Sequence, residues 1–98
     1  MRRVVVTGIG ALTPIGNSYS EYVNGLKAGV SGAGPITKFD ASLFKVKFAS
    51  EIKNFDVEPV IARKEARRLD SCAQYALYTA HEAIMHSGMD LEKIDVDR

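Results

Sequence analysis

The spacing of apolar and polar side chains along the chain predicts two strands. Residues 4–6 are three consecutive valines, and glycines follow at positions 8 and 10. A short, uninterrupted run of β-branched residues is typical of a strand that is buried on both faces of a parallel sheet. In residues 45–52 the side chains alternate, which predicts a strand with one covered face that carries Val46, Phe48 and Ile52.

Two further segments have helical spacing. The first begins at Ser18, because Ser-Tyr-Ser-Glu at residues 18–21 is a capping box, and Gly29 is its predicted end. The second is a long helix over residues 63–87 that ends at Gly88. Its predicted inner stripe consists of small and aliphatic residues: Ala66, Leu69, Ala73, Ala76, Leu77, Ala80, Ala83 and Ile84.

The order strand, helix, strand, long helix predicts an α/β fold with right-handed crossovers. Residues 30–42 are predicted to be a loop, residues 54–59 a turn, and residues 89–98 a polar segment without clear structure. Two strands cannot cover a helix of this length. We therefore expect residues 1–98 to be the front part of one larger domain, without a second domain, and to expose apolar surface.

Composition and charge narrow the class of protein. The chain has 98 residues, 46% of them hydrophobic and 26% charged, and a net charge of +1, which suits one soluble globular domain. The small net charge argues against non-specific binding of nucleic acid. Because Cys72 is the only cysteine and no apolar run approaches the ~20 residues of a membrane span, a reducing, cytoplasmic location without membrane insertion is expected.

Several short motifs favour structural roles over chemistry. Gly8-Ile9-Gly10 begins a G-x-G-x-x-G pattern, but Thr13 stands at the third glycine position and no acidic residue follows at the expected distance. The two glycines therefore favour close backbone packing over nucleotide binding. Ser31 lacks the second glycine of a nucleophile elbow and is interpreted as a loop serine.

The cysteine and the two histidines do not form a predicted catalytic or metal site. At ~100° per residue, Cys72 and His81 point to opposite sides of the long helix, about 13 Å apart along its axis. His81 and His86 differ by about 140° and cannot share a metal ion. We expect Cys72 to be a small packed side chain.

Arg63-Lys64-Glu65-Ala66-Arg67-Arg68 is the one segment whose charge calls for an explanation. Its four cations share one side of the first turns of the predicted helix, where the helix dipole is already positive. This unfavourable placement suggests an acidic or phosphorylated partner. The alternative, a solvated charged face, remains equally compatible with the sequence.

A set of short motifs resembles one known family, the elongating β-ketoacyl-acyl carrier protein synthases, and their type II members in particular. The match covers the N-terminal part of that family and essentially all 98 residues. It is carried by Arg3-Val4-Val5-Val6-Thr7-Gly8-Ile9-Gly10, Thr13-Pro14-Ile15-Gly16-Asn17, Gly29-Val30-Ser31-Gly32, Phe39-Asp40, Lys47-Phe48-Ala49, Arg63-Lys64-Glu65-Ala66-Arg67-Arg68-Leu69-Asp70, Gln74-Tyr75-Ala76-Leu77 and Ser87-Gly88-Met89.

The resemblance implies the incomplete N-terminal portion of a thiolase-like fold, whose two βαβαβαββ halves form a five-layered core, usually in a homodimer. It implies a decarboxylative Claisen condensation that uses a cysteine and two histidines, with no metal or nucleotide cofactor. Those catalytic residues lie beyond this stretch in the family, and Cys72, His81 and His86 do not align with them. The chain alone is therefore expected to be inactive.

The resemblance also implies one binding site. In the family, basic residues at this position help to dock the acidic face of acyl carrier protein, and Lys64, Arg67 and Arg68 match them, with Arg63 beside them. Two alternatives stay open at this point: a stand-alone, non-catalytic carrier-protein-binding module, and a nucleotide-binding α/β fragment.

Overall fold

The computed structural model describes residues 2–95 and residue 97. Of the predicted polar segment 89–98, residues 96 and 98 lie outside the described residues. The described part of the chain contains three helices and two short strands, in the order α1 Tyr19–Ala28, β1 Ala33–Pro35, β2 Phe48–Ser50, α2 Arg63–Ala66 and α3 Ser71–Ser87.

Helix α1 begins and ends where the sequence predicts. The Ser18 hydroxyl accepts a hydrogen bond from the Glu21 N–H at 3.2 Å, and the Glu21 carboxylate accepts one from the Asn17 N–H at 2.9 Å. Gly29 adopts a left-handed conformation with φ 68° and closes the helix. Gly25 is buried against Ile15, and Tyr22 and Val23 of the same helix are partly covered.

The sheet differs from the prediction. Strand β1 lies inside the segment 30–42 that is predicted to be a loop, and it pairs with β2 in the antiparallel direction, with Gly34 opposite Ala49. The two strands therefore form a hairpin with a long connection, and no right-handed crossover joins them. Of the predicted covered face, Ile52 is partly covered, but Val46 and Phe48 are 58% and 66% exposed, and the partly covered side chain within β2 is Ala49.

Side-chain hydrogen bonds extend the hairpin beyond its three paired residues. The Glu51 carboxylate, just after β2, accepts hydrogen bonds from the Thr37 N–H at 3.1 Å and from the Thr37 hydroxyl at 2.6 Å. These bonds favour the ionised carboxylate and lower the pKa of Glu51. Thr37 and Glu51 thus add a side-chain connection between the two strand segments.

Residues 4–6 are not a strand, which corrects the first prediction. Val4, Val5 and Val6 are 94%, 68% and 83% exposed. In the described part of the chain no strand pairs with them. A run of β-branched residues forms a buried strand only where neighbouring strands accept its hydrogen bonds and cover its faces.

The glycines that follow the valines lie against α3. A Cβ built on Gly8 would overlap the backbone oxygen of Ala83, and one built on Gly10 would overlap the backbone oxygen of Thr79. This close approach confirms the packing role that the sequence predicts for the two glycines. It also leaves their backbone facing a helix and not a bound nucleotide.

The predicted long helix is interrupted between α2 and α3. The Asp70 carboxylate accepts a hydrogen bond from the Ala73 N–H at 2.9 Å and starts a new helix. The Gln74 side chain donates to the backbone oxygens of Ala66 and Leu69, at 2.9 and 3.2 Å, and so ties the start of α3 to the connection that precedes it. Gly88, with φ 68°, ends α3 as predicted.

The predicted inner stripe of this helix is half right. Ala66 is buried at 7% exposure, and Leu69, Ala73, Ala83 and Ile84 are partly covered. By contrast, Ala76, Leu77 and Ala80 are exposed. No described residue of α3 is fully buried, although the N-terminal segment and the Phe55 ring pack against the helix.

The core is small and is completed by aromatic and polar contacts. Ala41, Val57 and Ala66 are its buried members. Phe55 packs edge-on against Tyr75 and Tyr78 of α3, with ring centroids 5.0 and 5.2 Å apart. Burial is the main reason that the pKa of Tyr78 is raised, and nearby carboxylates contribute to the shift.

Lys53 connects three loop segments. Its ammonium group donates hydrogen bonds to the backbone oxygens of Pro14, Gly32 and Glu51, at 3.2, 2.9 and 3.0 Å. An ammonium group has three donors, so all of them are used inside the chain. The backbone oxygen of Lys53 in turn accepts from the Asn17 side chain at 2.7 Å, which ties the start of α1 to the same point.

Candidate functional site

The candidate site is the basic segment, residues 63–68, which comprises α2 and the start of its connection to α3. A turn precedes it, in which the Val57 oxygen accepts from the N–H groups of Val60 and Ile61, both at 2.9 Å. Helix α2 has no side-chain cap at its N-terminus. Ala66 is buried and anchors the segment, so the cationic side chains extend into solvent.

Among the described residues, three of the four cations in the basic segment have no anionic partner. The Arg63 Nε lies 3.6 Å from a Glu58 carboxylate oxygen, in a pair whose side chains are 75% and 55% exposed. An ion pair this exposed is weak and easily exchanged. In the part of the chain that the structure describes, no carboxylate oxygen lies within 4.0 Å of the charged nitrogens of Lys64, Arg67 or Arg68.

The helix-dipole argument for these cations is corrected by the structure. Arg67 is the C-terminal cap of the four-residue α2 and Arg68 lies in the turn after it, so neither sits at the start of a long helix. The N-terminus of α3 carries Asp70, which is the favourable charge there. The case for a binding role rests instead on exposed, unpaired charge at a fixed connection between two helices.

Cys72 is exposed, whereas His86 makes contacts inside the chain. Cys72 is exposed in the first turn of α3, so the prediction of a packed side chain is wrong. His86 has a structural contact, since its Nδ1 accepts a hydrogen bond from the Ile9 N–H at 3.0 Å and its ring stacks on Tyr19. No group of three or more metal-ligating side chains is present among the described residues.

Sequence reasoning missed Glu82. One of its carboxylate oxygens accepts hydrogen bonds from the Ala11 N–H at 2.7 Å and the Tyr19 N–H at 3.1 Å. It therefore joins the N-terminal segment, the start of α1 and the middle of α3. Its position one turn before His86 was the available signal, but only the fold shows which backbone groups the two side chains meet.

A cavity of about 800 Å³ lies between the start of α1 and the Lys53 loop, away from the basic segment. It is lined by Pro14, Ile15, Gly16, Asn17, Glu21, Asn24, Gly25, Val30, Ser31, Lys53, Asn54 and Tyr78. Ser31 serves the local turn, because its hydroxyl accepts from the Ala33 N–H at 3.3 Å. Within the described residues, no helix combines the length and the apolar character that crossing a membrane requires.

Comparisons with known proteins give one consistent family. The model of the beta-ketoacyl synthase N-terminal domain matches residues 1–98. A 3-oxoacyl-acyl-carrier-protein synthase 2 of Synechocystis is 43% identical over 96 residues, which cover 98% of this chain and 23% of that protein. The proteins of the same name from Staphylococcus aureus and Coxiella burnetii are 45% and 40% identical, each over 99% of this chain and 23% of the relative.

A solved structure gives the same result for the fold. The ishigamide ketosynthase/chain length factor superposes with a TM-score of 0.85 at 36% sequence identity, over 95% of this chain and 23% of that one. The chain thus spans about a quarter of the length of the proteins it matches. The predicted fold class, a portion of a thiolase-like α/β fold, is confirmed, and the chain belongs to the beta-ketoacyl synthase family as part of its N-terminal domain.

Proposed function

We propose that the chain is part of a 3-oxoacyl-acyl-carrier-protein synthase. The reaction would be the decarboxylative condensation of malonyl-carrier protein with acyl-carrier protein during fatty acid elongation. The names of the relatives and the match over all 98 residues support this assignment. A cytoplasmic homodimer without metal, nucleotide, nucleic acid or membrane partners is the corresponding form of the enzyme that we propose.

Within that enzyme, we assign carrier-protein docking to Arg63, Lys64, Arg67 and Arg68. The single observation that carries this proposal is the exposed, unpaired charge on Lys64, Arg67 and Arg68. Each exposed pair with an acidic partner contributes about 0.2–1 kcal/mol, so several together suit a reversible complex. Because the Debye length is about 10 Å at 0.1 M salt, such docking weakens as salt is added.

The chain is proposed to supply docking surface and no catalytic group. Cys72 lies at the exposed start of α3, and His81 lies about 13 Å further along the helix axis. A cysteine nucleophile and its base have to be within hydrogen-bond reach of each other. A condensation assay with acyl- and malonyl-carrier protein is therefore expected to show no turnover by the 98-residue chain, and measurable turnover would overturn this part of the proposal.

The docking site is tested by charge reversal. Calorimetry would compare binding of acyl carrier protein by the chain and by a variant with Lys64→Glu, Arg67→Glu and Arg68→Glu. A control with Lys27→Glu, Lys45→Glu and Lys47→Glu makes the same change in net charge at exposed positions outside the segment. We expect about a tenfold loss of affinity for the first variant, greater at low salt, and a loss of less than threefold for the control.

Two results would count against the docking assignment. Equal losses in the two variants would show that only net charge matters, and an unchanged affinity in the first would remove the site. The alternative of a stand-alone binding module is tested by placing the first three substitutions in a condensing enzyme that contains these residues. Unchanged turnover there, with weakened binding by the isolated chain, would favour that alternative.

A further inference from the structure

Two α3 side chains accept hydrogen bonds from alternate backbone N–H groups of the N-terminal segment. Ile9 donates to Nδ1 of His86 at 3.0 Å, and Ala11 donates to a Glu82 oxygen at 2.7 Å. Alternate N–H groups point to the same edge of an extended chain, and residues four apart lie on the same face of a helix. The glycines at 8 and 10 bring the backbone close enough for both bonds.

The two acceptors differ in how they respond to protons. A neutral imidazole has one donor and one acceptor nitrogen, so the bond from Ile9 fixes the proton of His86 on Nε2. An imidazolium has two donors and no acceptor. Protonation of His86 therefore places two N–H groups against each other and removes this bond, whereas the ionised Glu82 keeps its bond to Ala11.

We propose that His86 is a pH-dependent latch, which holds the Ile9 backbone on α3 only while its imidazole is neutral. Histidine side chains in general change charge between about pH 5 and 8. Below that change, the Ile9 contact opens and the segment remains attached through Glu82. The exposure of His86 gives solvent protons direct access to the ring.

Few charged groups surround the latch. On α3 itself, the carboxylate of Glu82 lies one turn before His86. From α1, Tyr19 contributes an uncharged ring, stacked with a centroid distance of 5.4 Å and an angle of 27°. The packed segment, residues 8–11, presents only Gly, Ile, Gly and Ala and has no ionisable side chain.

The latch is tested by NMR on the 98-residue chain. Ring nitrogen shifts of His86 at about pH 7.5 are expected to show the tautomer with the proton on Nε2. Amide exchange of Ile9, corrected for its intrinsic pH dependence, is expected to lose about fivefold in protection between about pH 7.5 and 5.5. The Ala11 amide, bonded to Glu82, serves as an internal reference and is expected to change less than twofold.

Two substitutions separate the latch from general effects of acid. His86→Gln supplies a side-chain oxygen that accepts at either pH, so the pH dependence of Ile9 protection is expected to disappear. His81→Gln replaces the other histidine of α3 and is expected to keep it. The proposal is overturned by the opposite tautomer, by an Ile9 amide that is unprotected at pH 7.5 while the Ala11 amide is protected, or by a pH dependence that persists in His86→Gln.

Discussion

At the scale of single residues, glycines and polar side chains make contacts between distant segments that larger apolar residues make in most small domains. Gly8 and Gly10 let the N-terminal segment approach the α3 backbone. Glu82 and Lys53 then satisfy backbone groups from segments far apart in sequence. Since each of these contacts depends on one atom or one missing atom, the structure is sensitive to small substitutions at these positions.

Gly10→Ala tests the close approach. The added methyl group would overlap the Thr79 backbone oxygen, which cannot move without distorting α3. We expect a loss of about 1–3 kcal/mol in the free energy of unfolding, measured by urea denaturation. Gly34→Ala is the matched control, because a Cβ there meets no atom within 4 Å, and its effect is expected to stay within about 0.5 kcal/mol. Equal effects of the two substitutions would contradict the packing role.

At the scale of elements, the sequence predicts well what short-range signals determine. Helix α1 has its capping box and its terminal glycine within the segment itself, and Gly88 ends α3 in the same way. The break before Ser71 escaped prediction because Asp70 is compatible with a helix interior, and only its bond to the Ala73 N–H makes it a cap.

Strand pairing could not be predicted from the sequence, because it depends on neighbours that are distant along the chain. Residues 33–35 are Ala-Gly-Pro, a composition that favours a loop, and they form a strand only because β2 lies beside them. Conversely, residues 4–6 have the composition of a strand and no described strand pairs with them. The basic segment, residues 63–68, was identified from its charges alone, and its exposure does not depend on whether α2 and α3 are one helix or two.

Substitutions at Asp70 test the helix boundary. Asp70→Ala removes the acceptor of the Ala73 N–H. We expect the free energy of unfolding to fall by about 1 kcal/mol. Urea unfolding monitored by the helical circular dichroism signal would measure it. Asp70→Asn keeps a good capping side chain without the charge and is expected to retain most of the stability. If Ala and Asn are equally destabilising, the contribution is electrostatic and the residue is not acting through its capping bond.

At the scale of the whole molecule, the chain is open and incompletely covered. Its accessible surface is 8159 Å², whereas a compact monomer of this mass exposes about 5,500 Å². Its radius of gyration is 17.1 Å, against about 13 Å for a compact domain of this length. Large apolar side chains such as Val4 and Leu43, at 94% and 97% exposure, account for part of the excess. The exposed apolar surface that the sequence predicts is therefore present.

Self-association follows from this surface as a prediction. Apolar side chains in water favour any contact that covers them, so the 98-residue chain is expected to form species larger than a monomer or to melt with low cooperativity. Sedimentation velocity over a range of concentrations, together with thermal melting, would measure both. A single monomeric species with a sharp unfolding transition would contradict the prediction.

The contacts of residues 8–11 with α3 can form only after the ribosome has synthesised α3. Ile9 and its partner His86 are 77 residues apart, and Ala11 and Glu82 are 71 apart. At about 5–20 residues per second, the ribosome needs roughly 4–15 s to make that length of chain. Ile9 and Ala11 must therefore wait for His86 and Glu82 to be synthesised before these bonds can form, and no described strand covers the valines at 4–6 in that interval.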